Sequence, residues 1–307
     1  MEASGGNRLT WPELPTAVRV SIESAMGAHV VGATSQPGGF SPGLAARLTL
    51  ADGRRVFAKA VGLDRNPDSP GMHRREAFIA AQLPAGAPAP KLLWSYDDGD
   101  WVALVFEDVN GHTPVLPWQP DEWRRVHEAM VDLAVVLTPN PVSSLRRLSD
   151  HGFSGWRSLA MASHGPTNSW ARANLGRLID LEEAWPSAVD GDTLVHMDTR
   201  ADNILLTPGG AMFVDWPHAS VGAPWADLLF MLPSVVAQGG PDPADVWGSS
   251  PLAAKADPDA VNAALAGIAG YFVHSATLPP PKNLETVRKF QRIQGVHALR
   301  WLESRLG

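Results

Sequence analysis

Short apolar runs separated by turn residues fill the first third of the chain. Runs of this length, bounded by Gly, Pro or Asp, are typical of β-strands. The pattern predicts five strands and two helices before residue 108. The strands are expected at 30–34, 44–50, 55–61, 92–96 and 101–107, and the helices at 14–25 and 72–83. An Asp-Gly pair at Asp52 separates the second and third strands, which indicates a hairpin and hence antiparallel pairing.

Helical spacing of apolar residues takes over from about Pro120. The pattern predicts helices at 122–137, 170–185, from near Trp225, at 258–276 and at 283–306. Pro, Gly and Ser interrupt residues 138–170, which are expected to form short helices and connections. The chain therefore predicts an α+β fold with two domains: a sheet lobe at 1–108 and a larger, mainly helical lobe at 109–307.

A polar cluster and a second hairpin signal meet at residues 194–216, LVHMDTRADNILLTPGGAMFVDW. Two apolar runs joined by a Pro-Gly-Gly turn predict a hairpin, and its short strands return both ends to one edge. That edge collects Asp198, Asn203 and Asp215. Each of these residues alone is more often a turn or cap residue. As an ordered set they are the hard oxygen ligands that Mg²⁺ prefers when it also binds phosphates.

Lys59 shares one face of the third strand with Phe57 and Val61, and this pattern indicates that the face points inward. A lysine on a buried face is too costly without an anion. Glu76, on the apolar side of the next helix, is the expected partner, and the alternative is a solvated Glu76 beside Arg74 and Arg75. Between the first two strands, the Gly-rich residues 35–43 place Gly39, Phe40 and Ser41 at a loop tip. Backbone N–H groups of such a loop can approach phosphate, although a plain hairpin loop fits equally well.

Composition excludes several classes of protein. The 307 residues contain no cysteine, so disulfides and thiolate metal sites are excluded. No stretch approaches the roughly 18 apolar residues of a membrane span, and the first residues lack the pattern of a signal peptide. A net charge of −7 argues against nucleic acid and anionic membranes as partners. These features predict a cytoplasmic protein, and an acidic surface suits a cationic ligand as well as ordinary solubility.

The motif HMDTRADN followed by FVDW resembles that of the aminoglycoside phosphotransferase and choline kinase-like family, whose members share the two-lobed fold of protein kinases. The resemblance implies that Asp198 is the catalytic base, that Asn203 and Asp215 hold Mg²⁺, and that His196 supports the loop. One departure lies between the base and the asparagine, where the family often has His-Pro-Gly and this chain has Arg-Ala-Asp.

The same resemblance implies roles for residues elsewhere in the chain. Lys59 would contact the α- and β-phosphates of ATP or GTP and pair with Glu76. The main chain of residues 107–109, with Glu107 and Val109, would form the hinge that binds the base. Asp227 would hydrogen-bond the backbone of the catalytic loop. Arg200 would contact the γ-phosphate or, alternatively, form an ion pair with Asp202.

We therefore expect an ATP-dependent phosphotransferase acting on a hydroxyl of a small cationic or sugar-like acceptor. A catalytically idle binding protein on a kinase fold is the first alternative. The second is an iron oxygenase that uses His196 and Asp198 with His274 or His297. Tryptophans near the expected acceptor side, at 170, 216, 225 and 247, either stack on the acceptor or belong to the core. Acceptor identity and oligomeric state stay open at this point.

Overall fold

A computed structural model describes residues 8–36, 42–163, 165–280 and 286–307. The described residues form two compact units. The first unit contains the residues up to Thr113 together with Ala201–His218, and the second contains Pro114–Arg200 and Ala219–Gly307. The loop tip with Gly39, Phe40 and Ser41 lies outside the described residues. The division into lobes at residue 108 stays a prediction.

The first unit is built on an antiparallel sheet of five strands in the order β1–β2–β3–β5–β4. The strands are β1 (Val30–Ser35), β2 (Leu44–Leu50), β3 (Arg55–Gly62), β4 (Leu92–Asp97) and β5 (Trp101–Glu107). All five strand predictions are confirmed to within one residue, because alternation and turn residues define strand ends. The hairpin is also confirmed, as β7 (Ile204–Thr207) and β8 (Gly210–Phe213).

Helices cover both faces of this sheet. Helix α1 (Thr16–Met26) ends at Gly27, whose left-handed φ of 69° suits a glycine C-cap. It buries Val18 and Ile22 in a cluster with β2, β3 and β5. Helix α2 (Ser69–Ala80) packs against β3 and β5 on the other face. It begins three residues before the predicted start, because Pro70 lies in the first turn, where no N–H is needed.

The second unit is mostly helical, and the predicted α+β class is confirmed. Its helices are α3 (Pro120–Val136), α4 (Gly155–Met161), α5 (Ser169–Ala173), α6 (Leu175–Glu183), α7 (Trp185–Ala188), α8 (Ala226–Ala237), α9 (Pro243–Ser249), α10 (Pro258–Ser275) and α11 (Val287–Leu306). Strands β6 (Thr193–Val195) and β9 (Ser220–Gly222) pair beside them. The single helix predicted at 170–185 is wrong. It is divided at Asn174, whose side chain donates to the Trp170 carbonyl, and again before Pro186.

Helix α10 lies at the centre of the second unit and contacts α4, α6, α7, α8 and α11. Glycines on its surface admit tryptophan rings from neighbouring helices. A Cβ at Gly270 would lie 2.7 Å from the ring of Trp156. The indole N–H of Trp156 donates to the Ala266 carbonyl over 2.8 Å, which fixes the ring against the helix. Among the described helices, none is both long and apolar enough to cross a bilayer.

Adding a methyl group at Gly270 tests this packing. We expect Gly270→Ala to destabilise the fold by about 1–3 kcal/mol, because the core has no room for the methyl group. Gly176→Ala is the matched helical control. A Cβ there meets nothing within 4 Å, so the alanine should stabilise by about 0.5–1 kcal/mol. Urea unfolding measures both, and equal stability of the two variants would contradict the packing argument.

Candidate active site

The ammonium group of Lys59 is the centre of the site in the first unit. Its Nζ lies 2.7 Å from Glu76 Oε1, 2.9 Å from Glu76 Oε2 and 2.8 Å from Asp215 Oδ1. Strand β3 turns Lys59 toward the face covered by α2, where Glu76 is buried. The ion pair expected between Lys59 and Glu76 is therefore present, and Asp215 joins it from beyond the hairpin.

The electrostatics of this group follow from its burial. Burial lowers the pKa of Lys59, but the charges of Asp215 and Glu76 outweigh it and the net pKa is raised. Lys59 is thus a cation throughout the ordinary pH range. Burial raises the pKa of Glu76, and the charge of Lys59 opposes this shift only in part. The buried lysine and glutamate consequently depend on each other for a partner.

His73 lies one turn before Glu76 on α2 and is also buried. Burial, followed by the charge of Lys59, lowers its pKa to about 4. The imidazole is consequently neutral at neutral pH and adds no positive charge beside Lys59. The sequence carries no signal for this role of His73, since its burial depends on how α2 packs on the sheet.

The hairpin β7–β8 sets Asn203 and Asp215 beside each other at its open end. The Val214 N–H donates to the Asn203 carbonyl over 2.9 Å, directly before Asp215. Asn203 is buried, whereas the Asp215 side chain is 41% exposed and its backbone has a φ of 71°. Together they offer an amide and a carboxylate. No group of three or more acidic or histidine side chains arranged for a metal occurs among the described residues.

In the second unit, Asp227 at the start of α8 organises the loop that carries Asp198. Its carboxylate accepts the His196 N–H over 2.7 Å and the Met197 N–H over 2.8 Å. The Asp198 N–H in turn donates to His196 Nδ1 over 3.2 Å. Met197 has a φ of 68°, an unusual conformation for a residue other than glycine. The contact expected between Asp227 and the loop backbone is present, and His196 is wholly buried beneath it.

Burial raises the pKa of Asp227 from its usual 3.8 to about 6, with the nearby charge of Asp198 adding to the shift. The two backbone N–H donors oppose it. Because the folded state holds this proton more tightly than the unfolded chain, ionisation of Asp227 works against folding. This contribution to stability is present below about pH 4 and is lost as the pH rises through 6. At neutral pH the carboxylate is therefore mostly ionised, and its two backbone hydrogen bonds offset the cost of burying the charge only in part.

Arg200 makes contacts that the sequence analysis did not anticipate. Its guanidinium lies 3.5 Å from Asp198 Oδ1, and its Cζ lies 5.5 Å from the centre of the Phe290 ring on α11. An arginine held over an aromatic ring has a fixed orientation. The structure therefore ties Arg200 directly to the side chain of the expected base.

The segment after β5, expected as the hinge, is held by a residue that the sequence analysis missed. Arg47 on β2 donates to the Val109 carbonyl over 3.0 Å and to the Gly111 carbonyl over 3.3 Å. Its Nε lies 3.0 Å from the buried carboxylate of Asp108, which also pairs with Arg55 at 3.0 Å. The available signal was an arginine within the otherwise apolar strand LAARLTL.

Three of the four tryptophans considered for acceptor binding, Trp216, Trp225 and Trp247, are buried in the core. Trp170 is half-buried, and its indole N–H lies 3.4 Å from the Gly307 carbonyl. His274 and His297 both lie on helices, α10 and α11. An oxygenase site needs strands around the distal histidine, so this placement argues against that alternative.

Comparison with known proteins gives a family match. The family model described as phosphotransferase enzyme family matches residues 37–263. No curated protein matches the chain significantly.

Solved structures match over nearly the whole chain. Aminoglycoside phosphotransferase APH(4)-Ia superposes with a TM-score of 0.57 at 14% identity, covering 94% of this chain and 98% of that chain. A choline/ethanolamine kinase family protein from Mesorhizobium loti gives 0.56 at 14% identity, covering 94% of each chain. Amicoumacin kinase hAmiN gives 0.55 at 12% identity, covering 92% of this chain and 93% of that chain. The kinase-like fold expected from the sequence is confirmed.

Replacing Asp227 tests its role in the loop. We expect Asp227→Ala to destabilise the fold by about 2–4 kcal/mol, because the N–H groups of His196 and Met197 lose their acceptor. Asp245→Ala, on the exposed face of α9, is the control and should change stability by less than about 0.5 kcal/mol. Urea unfolding at neutral pH measures both variants. A loss for Asp227→Ala no larger than the control would show that the loop does not depend on this carboxylate.

Proposed function

Because the chain belongs to the phosphotransferase enzyme family, we propose that it transfers the γ-phosphoryl group of ATP or GTP to a hydroxyl of a small-molecule acceptor. The observation that carries the proposal is the largely buried Lys59 ammonium, held by Glu76 and by an accessible Asp215. A fixed cation beside an exposed carboxylate suits a phosphate chain that carries a divalent cation. The transfer itself depends mainly on position and charge compensation.

Lys59 binds the α- and β-phosphates in this proposal, and Glu76 fixes its position. Asn203 and Asp215 fit a magnesium ion, which commonly takes one or two protein ligands and completes its shell with phosphates and water. When bound, Mg²⁺ neutralises negative charge on the phosphates.

Support for nucleotide and cation binding also comes from the structural neighbours. A thermostable mutant of aminoglycoside phosphotransferase APH(4)-Ia is known as a ternary complex with ADP and hygromycin B, and amicoumacin kinase hAmiN as a complex with AMP-PNP, Ca²⁺ and Ami. We carry a nucleotide and a divalent cation over to this chain on the strength of Lys59, Asn203 and Asp215. We also propose residues 107–109 as the hinge. The ring of Phe106, directly before them, is centred 5.9 Å from Lys59 Nζ, which supports this assignment.

Asp198 is the proposed base. It orients the acceptor hydroxyl and takes its proton as the hydroxyl oxygen bonds to the γ-phosphorus. The bond from that phosphorus to the β,γ-bridging oxygen breaks, and the nucleoside diphosphate leaves. The carboxylate is one-quarter exposed, so an acceptor can reach it. Asp227 and His196 hold the loop from beneath through backbone hydrogen bonds and do not touch the reacting atoms in this proposal.

The acceptor is proposed to be small and either cationic or sugar-like. The neighbours are named for aminoglycosides, amicoumacin and choline or ethanolamine. A net charge of −7 favours cationic ligands over anionic ones. We keep residues 1–108 as the nucleotide lobe, completed by Asn203 and Asp215 from the hairpin, and a cytoplasmic location.

Turnover of Mg-ATP with a panel of hydroxylated amines and sugars tests the function, with release of nucleoside diphosphate as the readout. We expect at least one acceptor class to stimulate release. Asp198→Asn should lower kcat by about 10²–10⁴-fold with little change in nucleotide binding. Asp215→Ala should weaken nucleotide binding in the presence of Mg²⁺. Asp245→Asn is the matched control, since its carboxylate is exposed on α9.

The panel also separates the proposal from its main alternative. If the wild-type chain binds Mg-ATP but releases no more nucleoside diphosphate than Asp198→Asn with any acceptor, that result would identify an idle binding protein on a kinase fold.

Arg200 gives a separate test of the transfer step. Arg200→Ala should lower kcat about tenfold or more and leave ATP affinity nearly unchanged, because the guanidinium is fixed against Asp198 and Phe290 and not against Lys59. Arg124→Ala, an exposed arginine paired with Glu128 on α3, serves as the control. An unchanged kcat for Arg200→Ala would remove Arg200 from the mechanism.

A further inference from the structure

At Val109 in the proposed hinge, the main-chain carbonyl is occupied by hydrogen bonds and the main-chain N–H is not. Its carbonyl accepts from Arg47 Nη2 over 3.0 Å and from the Gly111 N–H over 2.9 Å. A carbonyl has two lone pairs, so both are taken. Within the part of the chain that the structure describes, the Val109 N–H donates to no other residue. The Val109 N–H can therefore donate a hydrogen bond to a ligand, whereas the Val109 carbonyl has no lone pair left to accept one.

Three contacts fix the position of the Arg47 guanidinium against the Val109 carbonyl. Beyond the Val109 carbonyl, it contacts the Gly111 carbonyl and the carboxylate of Asp108. Asp108 is buried, so it keeps the guanidinium in place, and Arg55 provides its second ion pair. A planar guanidinium donates in several fixed directions at once, which suits an acceptor set of this kind.

The two purines present opposite patterns to such a segment. Adenine carries an amino donor followed by a ring-nitrogen acceptor, which match a carbonyl at Glu107 followed by the N–H of Val109. Guanine carries a carbonyl acceptor followed by an N–H donor, so in the same position both groups oppose their partners. Guanine becomes complementary by moving one position along the hinge. Its carbonyl then meets the Val109 N–H, and its ring N–H needs the Val109 carbonyl.

We infer that Arg47 makes the nucleotide site selective for adenine nucleotides by occupying the Val109 carbonyl. The inference rests on the proposed function and deepens it by naming the nucleotide. Arg47 acts through Val109 and not on the base itself, so it is a positioning residue that sets specificity. Leaving a buried donor of guanine without its acceptor costs at least about tenfold in affinity.

Binding of AMP-PNP and GMP-PNP with Mg²⁺ to the full chain, measured by calorimetry, tests the inference without an acceptor. The wild-type protein should bind AMP-PNP at least about tenfold more tightly than GMP-PNP. Arg47→Ala should improve GMP-PNP binding by about tenfold, because the Val109 carbonyl regains a lone pair, and should change AMP-PNP binding by less than about threefold.

Arg55→Ala is the matched control. It removes the other ion pair of Asp108 and leaves the Val109 and Gly111 carbonyls untouched, so it should keep the wild-type preference. If Arg47→Ala does not fold, Arg47→Lys replaces it. Lysine keeps a cation near Asp108, but its donors all lie on one nitrogen, whereas Arg47 contacts the carbonyls through Nη2 and Asp108 through Nε. The preference should therefore shift in the same direction.

The outcomes separate the inference from the proposed function. An equal loss of both nucleotides in Arg47→Ala would reduce Arg47 to a structural residue and overturn the inference. The same would follow if Arg55→Ala shifted the preference as Arg47→Ala does, or if wild type bound the two nucleotides equally. Failure of wild type to bind AMP-PNP at all would overturn the proposed function together with the inference.

Discussion

The arrangement of the sheet, α2 and the hairpin depends on neutralising one buried ammonium. Lys59 is placed on a covered face of the sheet, where an unpaired cation is too costly to keep. Its two acidic partners come from 17 and 156 residues further along the chain. Removing either partner leaves the lysine under-compensated, and removing the lysine leaves Glu76 buried with a charge. The sheet, α2 and the hairpin are therefore stable only when all three are in place. A phosphate site requires the same arrangement.

Buried carboxylates serve a second purpose in the other unit. Asp227 accepts two backbone N–H groups from the loop before Asp198, and Glu182 accepts the Trp156 N–H at the start of α4. Burial raises the pKa of both. Irregular backbone has donors that no helix or strand satisfies, so a carboxylate is an efficient acceptor for two of them at once. Carboxylates thus have two uses in this protein. Asp227 and Glu182 are buried and hold the backbone, whereas Asp198 and Asp215 are partly exposed in the candidate site.

The sequence was sufficient for the strands, the hairpin and the pairing of Lys59 with Glu76. Each follows from local rules: alternation, turn residues and the need of a buried lysine for an anion. The early start of α2 was missed because Pro70 reads as a helix breaker, and the break at Asn174 because its neighbours keep helical spacing. The role of Arg47 is marked in the sequence only by an arginine within an otherwise apolar strand, and the burial of His73 is not marked at all. The contact of Arg47 with Val109 depends on the register of β2 and on the path of the chain after β5.

The hairpin that carries Asp215 has a consequence for how the molecule can be divided. It is hydrogen-bonded to the sheet unit, by a reciprocal pair between His112 and Leu206 and by the Phe213 N–H to the Pro88 carbonyl. The polypeptide therefore enters this unit twice, and a single cut after Thr113 does not release a self-sufficient module. Such a fragment would retain Lys59 without one of its two counter-charges. A protein that contains this sheet unit must therefore also contain residues 201–218, with the rest of the chain inserted between the two parts of the unit.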